Sequence, residues 1–168
     1  MKIGIIGLGF VGLSLTSVLA SKGYDVIGID VDNEKCNKII NGISPFFEPE
    51  LEKTLQNGLK KKLKIENNFS LINTCDFIFV TVGTPQKSNG SIDLSKIKKA
   101  ISTIAENLLK NDKKPIIIIK STVIPGTTKK VILPILEKKL NKKNGKGFGL
   151  ISNPEFLQES NAIKDTKF

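Results

Sequence analysis

The segment Gly7-Leu8-Gly9-Phe10-Val11-Gly12 directly follows an apolar run at residues 2–6. Glycines spaced G-x-G-x-x-G restrict what a backbone can do there. Gly7 permits a tight turn, Gly9 lets the main chain approach an anionic group, and Gly12 lets a helix and a strand pack closely. A helix opening at Phe10 would direct its unpaired N–H groups and the positive end of its dipole at that anion. The pattern is informative only at a strand-to-helix junction inside a βαβ unit, so its surroundings decide its meaning.

Those surroundings alternate between short apolar runs and longer stretches of helical spacing. Short runs rich in Ile and Val lie at 2–6, 25–30, 76–82, 115–120 and 148–152, with a weaker one at 63–65. Between them, stretches of helical spacing cover 10–22, 33–41, 49–57, 94–109 and 126–140. Continuous apolar strands separated by helices predict an α/β fold, a Rossmann-like doubly wound, mostly parallel sheet with helices on both faces. Two segments, 42–49 and 84–93, do not fit simple crossovers. In such sheets, ligands collect at the loops after the carboxyl ends of strands.

The second strand run ends at Asp30, close to the spacing of about 20 residues after the glycine motif at which a dinucleotide fold places an acid for the adenosine ribose. A carboxylate there accepts a hydrogen bond from a ribose 2′-OH and repels a 2′-phosphate, which favours NAD over NADP. Asp32 competes for the role, but Asp32 or Asn33 is better placed to start the next helix. Lys35, in that helix's first turn, is placed either over the adenosine or in solvent.

Composition narrows the function classes. The chain has 168 residues, 39% apolar and 25% charged, a globular balance sufficient for one domain, or for one and part of a second. No apolar run approaches the ~20 residues of a membrane span, and early glycines interrupt any signal-like segment, so a cytoplasmic location without membrane contact is expected. There is no His, which removes Ser-His and Cys-His catalysis. Cys36 and Cys75 form no metal-binding or disulfide pattern, and no metal is expected. The net charge is +10, and every basic residue is Lys. Without Arg, the usual bidentate reader of guanine and phosphate, nucleic acid is not an expected partner. The lysines read as a solvated surface that steers anionic ligands.

Three further motifs fall at carboxyl strand ends: Val82-Gly83-Thr84-Pro85, Lys120-Ser121-Thr122-Val123-Ile124-Pro125-Gly126-Thr127, and Asn153-Pro154-Glu155-Phe156-Leu157-Gln158-Glu159. Thr122, Glu155 and Glu159 would converge near a hydride acceptor lying along the strand ends, where donors and a proton path are needed. Four residues apart, Glu155 and Glu159 would share one face of a helical turn. On residue chemistry alone, Thr122 equally serves as a strand cap and the glutamates as solvated acids at a helix start.

Together with Glu48-Pro49-Glu50-Leu51, these motifs resemble the UDP-glucose/GDP-mannose dehydrogenase family, in the family's order and from Lys2 to Asp165. Asn153 to Leu157 with Glu159 looks most like the UDP-glucose 6-dehydrogenases. The resemblance implies oxidation of a sugar C6 alcohol to a carboxylate, with UDP-glucose or a related UDP-sugar as substrate, two NAD, and a thioester on a cysteine. It implies that Val11, Asp30, Lys35, Thr84, Thr122 and Glu159 contact NAD beside the glycine loop of Gly7, Gly9, Phe10 and Gly12. It makes Glu155 the glutamate that activates water for thioester hydrolysis, with Thr122 associated with that water. Glu155, Phe156, Leu157 and Glu159 would border the sugar nucleotide.

The family's nucleophilic cysteine lies in a Gly-Gly-x-Cys-type segment beyond the position of Phe168, and Cys36 and Cys75 read as packing residues. Residues 1–168 are therefore expected to be an NAD-binding N-terminal domain, incomplete at its C-terminal edge. Such a domain would lack the central helical and UDP-binding parts, bind NAD without turning over alone, and belong to a homodimeric full-length protein. Two alternatives stay open. One is a β-hydroxyacid-type dehydrogenase, whose first strand also runs into Gly-Leu-Gly. The other is a non-catalytic NAD- or polyanion-binding module.

Overall fold

The computed structural model describes residues 1–109 and 113–167. Six short strands form the sheet: β1 Lys2–Ile6, β2 Asp25–Ile29, β3 Leu63–Glu66, β4 Phe77–Val80, β5 Ile116–Ile119 and β6 Gly149–Ser152. Their order is β3-β2-β1-β4-β5-β6, and every pair is parallel. This is the doubly wound arrangement expected from the alternating pattern, with the order reversing between β1 and β4. β-Branched residues dominate the strands, as in the Ile116–Ile119 run of four isoleucines, because their stiff side chains fit a pleated surface covered on both sides.

The helices are α1 Phe10–Ser21, α2 Asn33–Ile40, α3 Leu51–Leu59, α4 Ser95–Leu108, α5 Leu133–Leu140 and α6 Ala162–Thr166. One core layer joins α4 and α5 to Ile6, Ile29, Ile78, Val80, Ile117 and Ile119. The other joins α1, α3 and α6 to Ile3, Ile5, Val26 and Leu63 through Leu13, Leu55 and Ile163. α4 buries Ile97, Ala100, Ile101, Ile104, Ala105 and Leu108, an i, i+3, i+4 stripe that turns its lysines outward.

Several boundaries differ from the sequence expectation. The helix expected over 126–140 begins as a π-helical turn, Thr128–Ile132, before α5. Pro134 stands two residues on, in the first turn of α5, and its missing N–H removes one i→i−4 bond from the ladder. α3 starts at Leu51 rather than at residue 49, after Glu50 in the left-handed region at φ 63°. A 3₁₀ turn at Ile72–Thr74 and α6 carry no periodicity long enough to register in the sequence. The expected helical turn carrying Glu155 and Glu159 does not form. Residues 153–158 are irregular, so these two side chains do not share a helical face.

Candidate cofactor and active site

The glycine loop joins β1 to α1 at the carboxyl edge of the sheet, beside the reversal of strand order. Gly7 has φ 96°, a conformation that L side chains rarely adopt. Gly12 faces the turn so closely that an added Cβ would lie 1.8 Å from the Gly7 carbonyl oxygen and 2.6 Å from Thr81 Oγ1. Thr81 Oγ1 lies within donor range of the Ile6 and Gly7 carbonyls, at 2.9 and 2.7 Å, which ties β4 to the loop. At Gly9 an added Cβ would meet nothing within 4 Å, so open space lies over the start of α1. The first intrahelical bond runs from Leu13 N to the Gly9 carbonyl, and the amides of Phe10, Val11 and Gly12 lie upstream of it. An exposed helix start with open space above it is a cradle for a diphosphate.

Asp30 is 8% exposed at the end of β2 and braces this loop. Its Oδ2 accepts hydrogen bonds from Leu8 N at 2.8 Å and Lys35 Nζ at 2.9 Å, and its Oδ1 accepts from Asp32 N at 3.1 Å. A carboxylate has about four acceptor positions, so one remains for a ribose hydroxyl. Burial pushes the Asp30 carboxyl up, but the Lys35 ammonium and the Leu8 and Asp32 amides outweigh it and hold the group below the usual carboxylate range. Asp32 caps α2 by accepting from Lys35 N. Lys35 is therefore not free in solvent: its ammonium is paired with Asp30. Asp30 and Gly7 line a cleft of about 310 Å³ with Val31, Phe69, Lys96 and Thr103, an apolar slot with two ammonium groups at its rim.

A second cleft, of about 210 Å³, lies at the ends of β4 and β5. It gathers Val11, Thr84, Thr122 and Glu155, together with Thr81, Lys120 and Ser121. Thr84 Oγ1 donates to the Thr122 carbonyl at 2.7 Å and Ser121 Oγ donates to the Val82 carbonyl at 2.7 Å, so the two strand-end loops are fastened together. Lys120 Nζ donates to Asn153 Oδ1 at 3.0 Å. Burial pushes the Lys120 ammonium below its usual range, against the opposing pull of the Glu155 charge.

Glu155 is half-buried and accepts a hydrogen bond from Leu157 N. Four other predicted positions stand differently. Glu159 is exposed and lines neither cleft, Phe156 is 90% exposed, Leu157 is half-buried outside both clefts, and Phe10 packs against Phe46 in a tilted pair, ring centroids 5.8 Å apart. A larger concavity, about 610 Å³, is lined by Phe46, Phe47, Glu48, Glu50 and Lys53 and holds none of the predicted positions. Lys120, Thr81, Phe69 and Glu48 are site residues for which the sequence carries no expectation of a site role. Lys120 and Glu48 stood inside quoted motifs, whereas Phe69 and Thr81 carry no pattern of their own.

Residues 1–168 match the model of the UDP-glucose/GDP-mannose dehydrogenase family, NAD binding domain. The chain belongs to that family. GDP-mannose 6-dehydrogenase of Pseudomonas syringae pv. tomato is 43% identical over 167 residues, which are 98% of this chain and 38% of that protein. UDP-glucose 6-dehydrogenase AglM of Haloferax volcanii is 34% identical over 165 residues, again 98% of this chain and 38% of that protein. A crystal structure of a ternary complex of GDP-mannose dehydrogenase from Pseudomonas aeruginosa superposes at TM-score 0.97 with 40% identity, over 100% of this chain and 39% of that one. A UDP-glucose dehydrogenase from Pyrobaculum islandicum superposes at 0.91 with 30% identity, over 98% and 38%. The domain thus spans less than two-fifths of the length of these relatives.

As a member of this family the domain is an NAD-binding domain of nucleotide-sugar 6-dehydrogenases, and its cofactor is NAD. The cradle over α1 and the open acceptor position on Asp30 fit a dinucleotide. No helix among the described residues is long and apolar enough to cross a membrane, and no three His, Cys, Asp or Glu among them stand together as a metal site.

Both cysteines are buried. Burial pushes the Cys75 thiol up to about 11 and raises Cys36 as well. A nucleophilic cysteine needs the opposite shift and access to its target. At neutral pH, iodoacetamide is expected to leave both thiols of the folded domain unmodified and to label both in denaturant. Rapid labelling of either in the folded domain would overturn their assignment to packing.

Proposed function

We propose that this chain holds NAD for the C6 oxidation of a nucleotide hexose, with its adenosine end in the Asp30 cleft and its nicotinamide end in the Thr122 cleft. The observation that carries this reading is the grouping of Val11, Thr84, Thr122 and Glu155 around one cleft at the carboxyl ends of β4 and β5. NAD supplies the carbon that accepts hydride. Asp30 takes the adenosine ribose hydroxyl, with Lys35 holding the carboxylate in place. The start of α1 takes the diphosphate over Gly9. Thr84 and Thr122 frame the nicotinamide end, and Glu155 accepts a proton from a water that Thr122 helps to hold. The exposed Glu159 and Phe156, with the half-buried Leu157 between them, are offered to a sugar nucleotide.

For the hexose, we propose GDP-mannose ahead of UDP-glucose. The curated relative named for GDP-mannose is 43% identical, against 34% for the relative named for UDP-glucose. The UDP-glucose expectation rests on Asn153 to Leu157 with Glu159, and the higher identity outweighs it here.

Calorimetric titration tests the cofactor assignment on the chain itself. NAD is expected to bind at least about tenfold more tightly than NADP, because a 2′-phosphate would meet the Asp30 carboxylate. Equal affinities, or tighter NADP, would overturn it. In the protein that carries this domain, NADH formation with GDP-mannose and with UDP-glucose decides the sugar.

A further inference from the structure

Residues 153–161 form an irregular bridge between the end of β6 and α6, which packs against α1. The near end is held where Asn153 N donates to the Ile119 carbonyl at 2.9 Å and Lys120 Nζ donates to Asn153 Oδ1. The far end is anchored by Ile163 in the core, by an exposed Glu50–Lys167 pair and by one buried polar side chain. Glu48, in the loop before α3 and only 5% exposed, accepts from Ser160 N at 2.9 Å on Oε2 and from Ala162 N at 3.0 Å on Oε1. Among the described residues it has no ammonium partner within 4 Å. A buried carboxylate satisfied by backbone amides alone is costly unless both bonds are made, because its desolvation is offset only by those charge-assisted bonds.

The same junction carries backbone strain. Ser160 has φ 69° and Glu50 has φ 63°, left-handed conformations that non-glycine residues hold only when their surroundings over-determine them. Two residues before Glu48, Phe46 meets Phe10 of the glycine loop. One carboxylate thus fastens the segment containing Glu155 and Glu159 to the wall of the dinucleotide loop.

We propose that Glu48 is a positioning residue that sets where the Glu155–Glu159 segment stands over the nicotinamide end of the cofactor cleft. This rests on the functional reading above. Glu48 touches neither cleft and acts through Ser160 and Ala162. Its loss is therefore expected to affect ligands that reach Glu155 and to spare ligands that fill only the adenosine end.

The test compares wild type, Glu48→Gln and Glu50→Gln of the same chain. Gln keeps the volume of Glu but offers one oxygen acceptor, so one of the two amides loses its partner. Glu50, in the same loop, reaches α6 only through an exposed ion pair with Lys167, which contributes little in water, and serves as control for the buried tie. Two ligands are titrated: NADH, which spans both clefts, and ADP-ribose, which lacks the nicotinamide. Amide hydrogen exchange is followed at Ser160 and Ala162, with Ile5 and Ile78 as core references.

Glu48→Gln is expected to speed exchange at Ser160 or Ala162 about tenfold while the core amides are unchanged. It is expected to weaken NADH about fivefold, because the segment is displaced while its other anchors remain, and to leave ADP-ribose within about twofold. Glu50→Gln is expected to change neither ligand. Equal weakening of both ligands by Glu48→Gln would mean that Glu48 is merely structural. Unchanged NADH affinity would mean that it positions nothing. Either result overturns the inference and leaves the functional reading standing. Wild-type chain that binds neither ligand would overturn the functional reading, and this inference with it.

Discussion

Gly12→Ala is expected to lower the melting temperature of this domain by roughly 6–12 °C, the equivalent of about 3 kcal/mol for a core that cannot accept the added methyl group. The Cβ would stand 1.8 Å from the Gly7 carbonyl oxygen, so the start of α1 must move away from β1. NAD affinity is expected to fall with it, because the same displacement moves the amides that face the diphosphate. Gly9→Ala separates the two effects. Its Cβ meets nothing within 4 Å, so the melting temperature should stay within about 2 °C while the methyl group occupies space meant for the diphosphate. Calorimetry and NAD titration on both variants give the comparison. A Gly12→Ala protein as stable as wild type would remove close helix–strand packing as the reason for that glycine.

Asp30→Asn carries the second large effect. The amide keeps one oxygen for the three donors that now converge on the carboxylate and loses the charge that holds Lys35. Hydrogen bonds to charged groups contribute about 1.5–3 kcal/mol, so NAD affinity should fall about ten- to hundredfold. NADP should fall less, narrowing or reversing the preference, because the repulsion of a 2′-phosphate is gone. The same variant has a signature in acid.

Because the folded Asp30 carboxyl lies below its usual range, its stabilisation is complete above the ordinary carboxylate range and is lost as pH falls through the folded value. Asp30→Asn should abolish that share of the acid-side decline and leave the remainder. Unchanged affinity and selectivity in the variant would place the ribose elsewhere.

What the sequence disclosed follows how local each feature is. The strand runs, the glycine loop and the Asp30 position are set by residues near one another in the chain. The continuous apolar runs and the 3.6-residue spacing between them therefore carried through to the parallel, doubly wound sheet and to the cleft beside β1. Lys35 was legible as a nearby cation, but its pairing with Asp30 depends on Asp32 capping α2 and turning the lysine inward.

The Glu155–Glu159 spacing imitated a helical turn. Local bonding overrode it: Glu155 is occupied by Leu157 N and Ser160 turns left-handed. The path of that segment is fixed by Glu48, more than a hundred residues earlier in the chain, and no local pattern encodes such a contact.

That separation also bears on how the domain comes together in time. β1, the glycine loop, α1, β2 and Asp30 lie within the first 30 residues, and closing so short a stretch loses little chain entropy. The contact between Glu48 and Ser160 joins residues 112 apart, and it has nothing to grip until β6 has docked on β5. Topology of this kind slows the closing step relative to local ones. A newly made chain would therefore assemble its adenosine side before the segment bearing Glu155, so a dinucleotide could occupy half of its groove ahead of the rest.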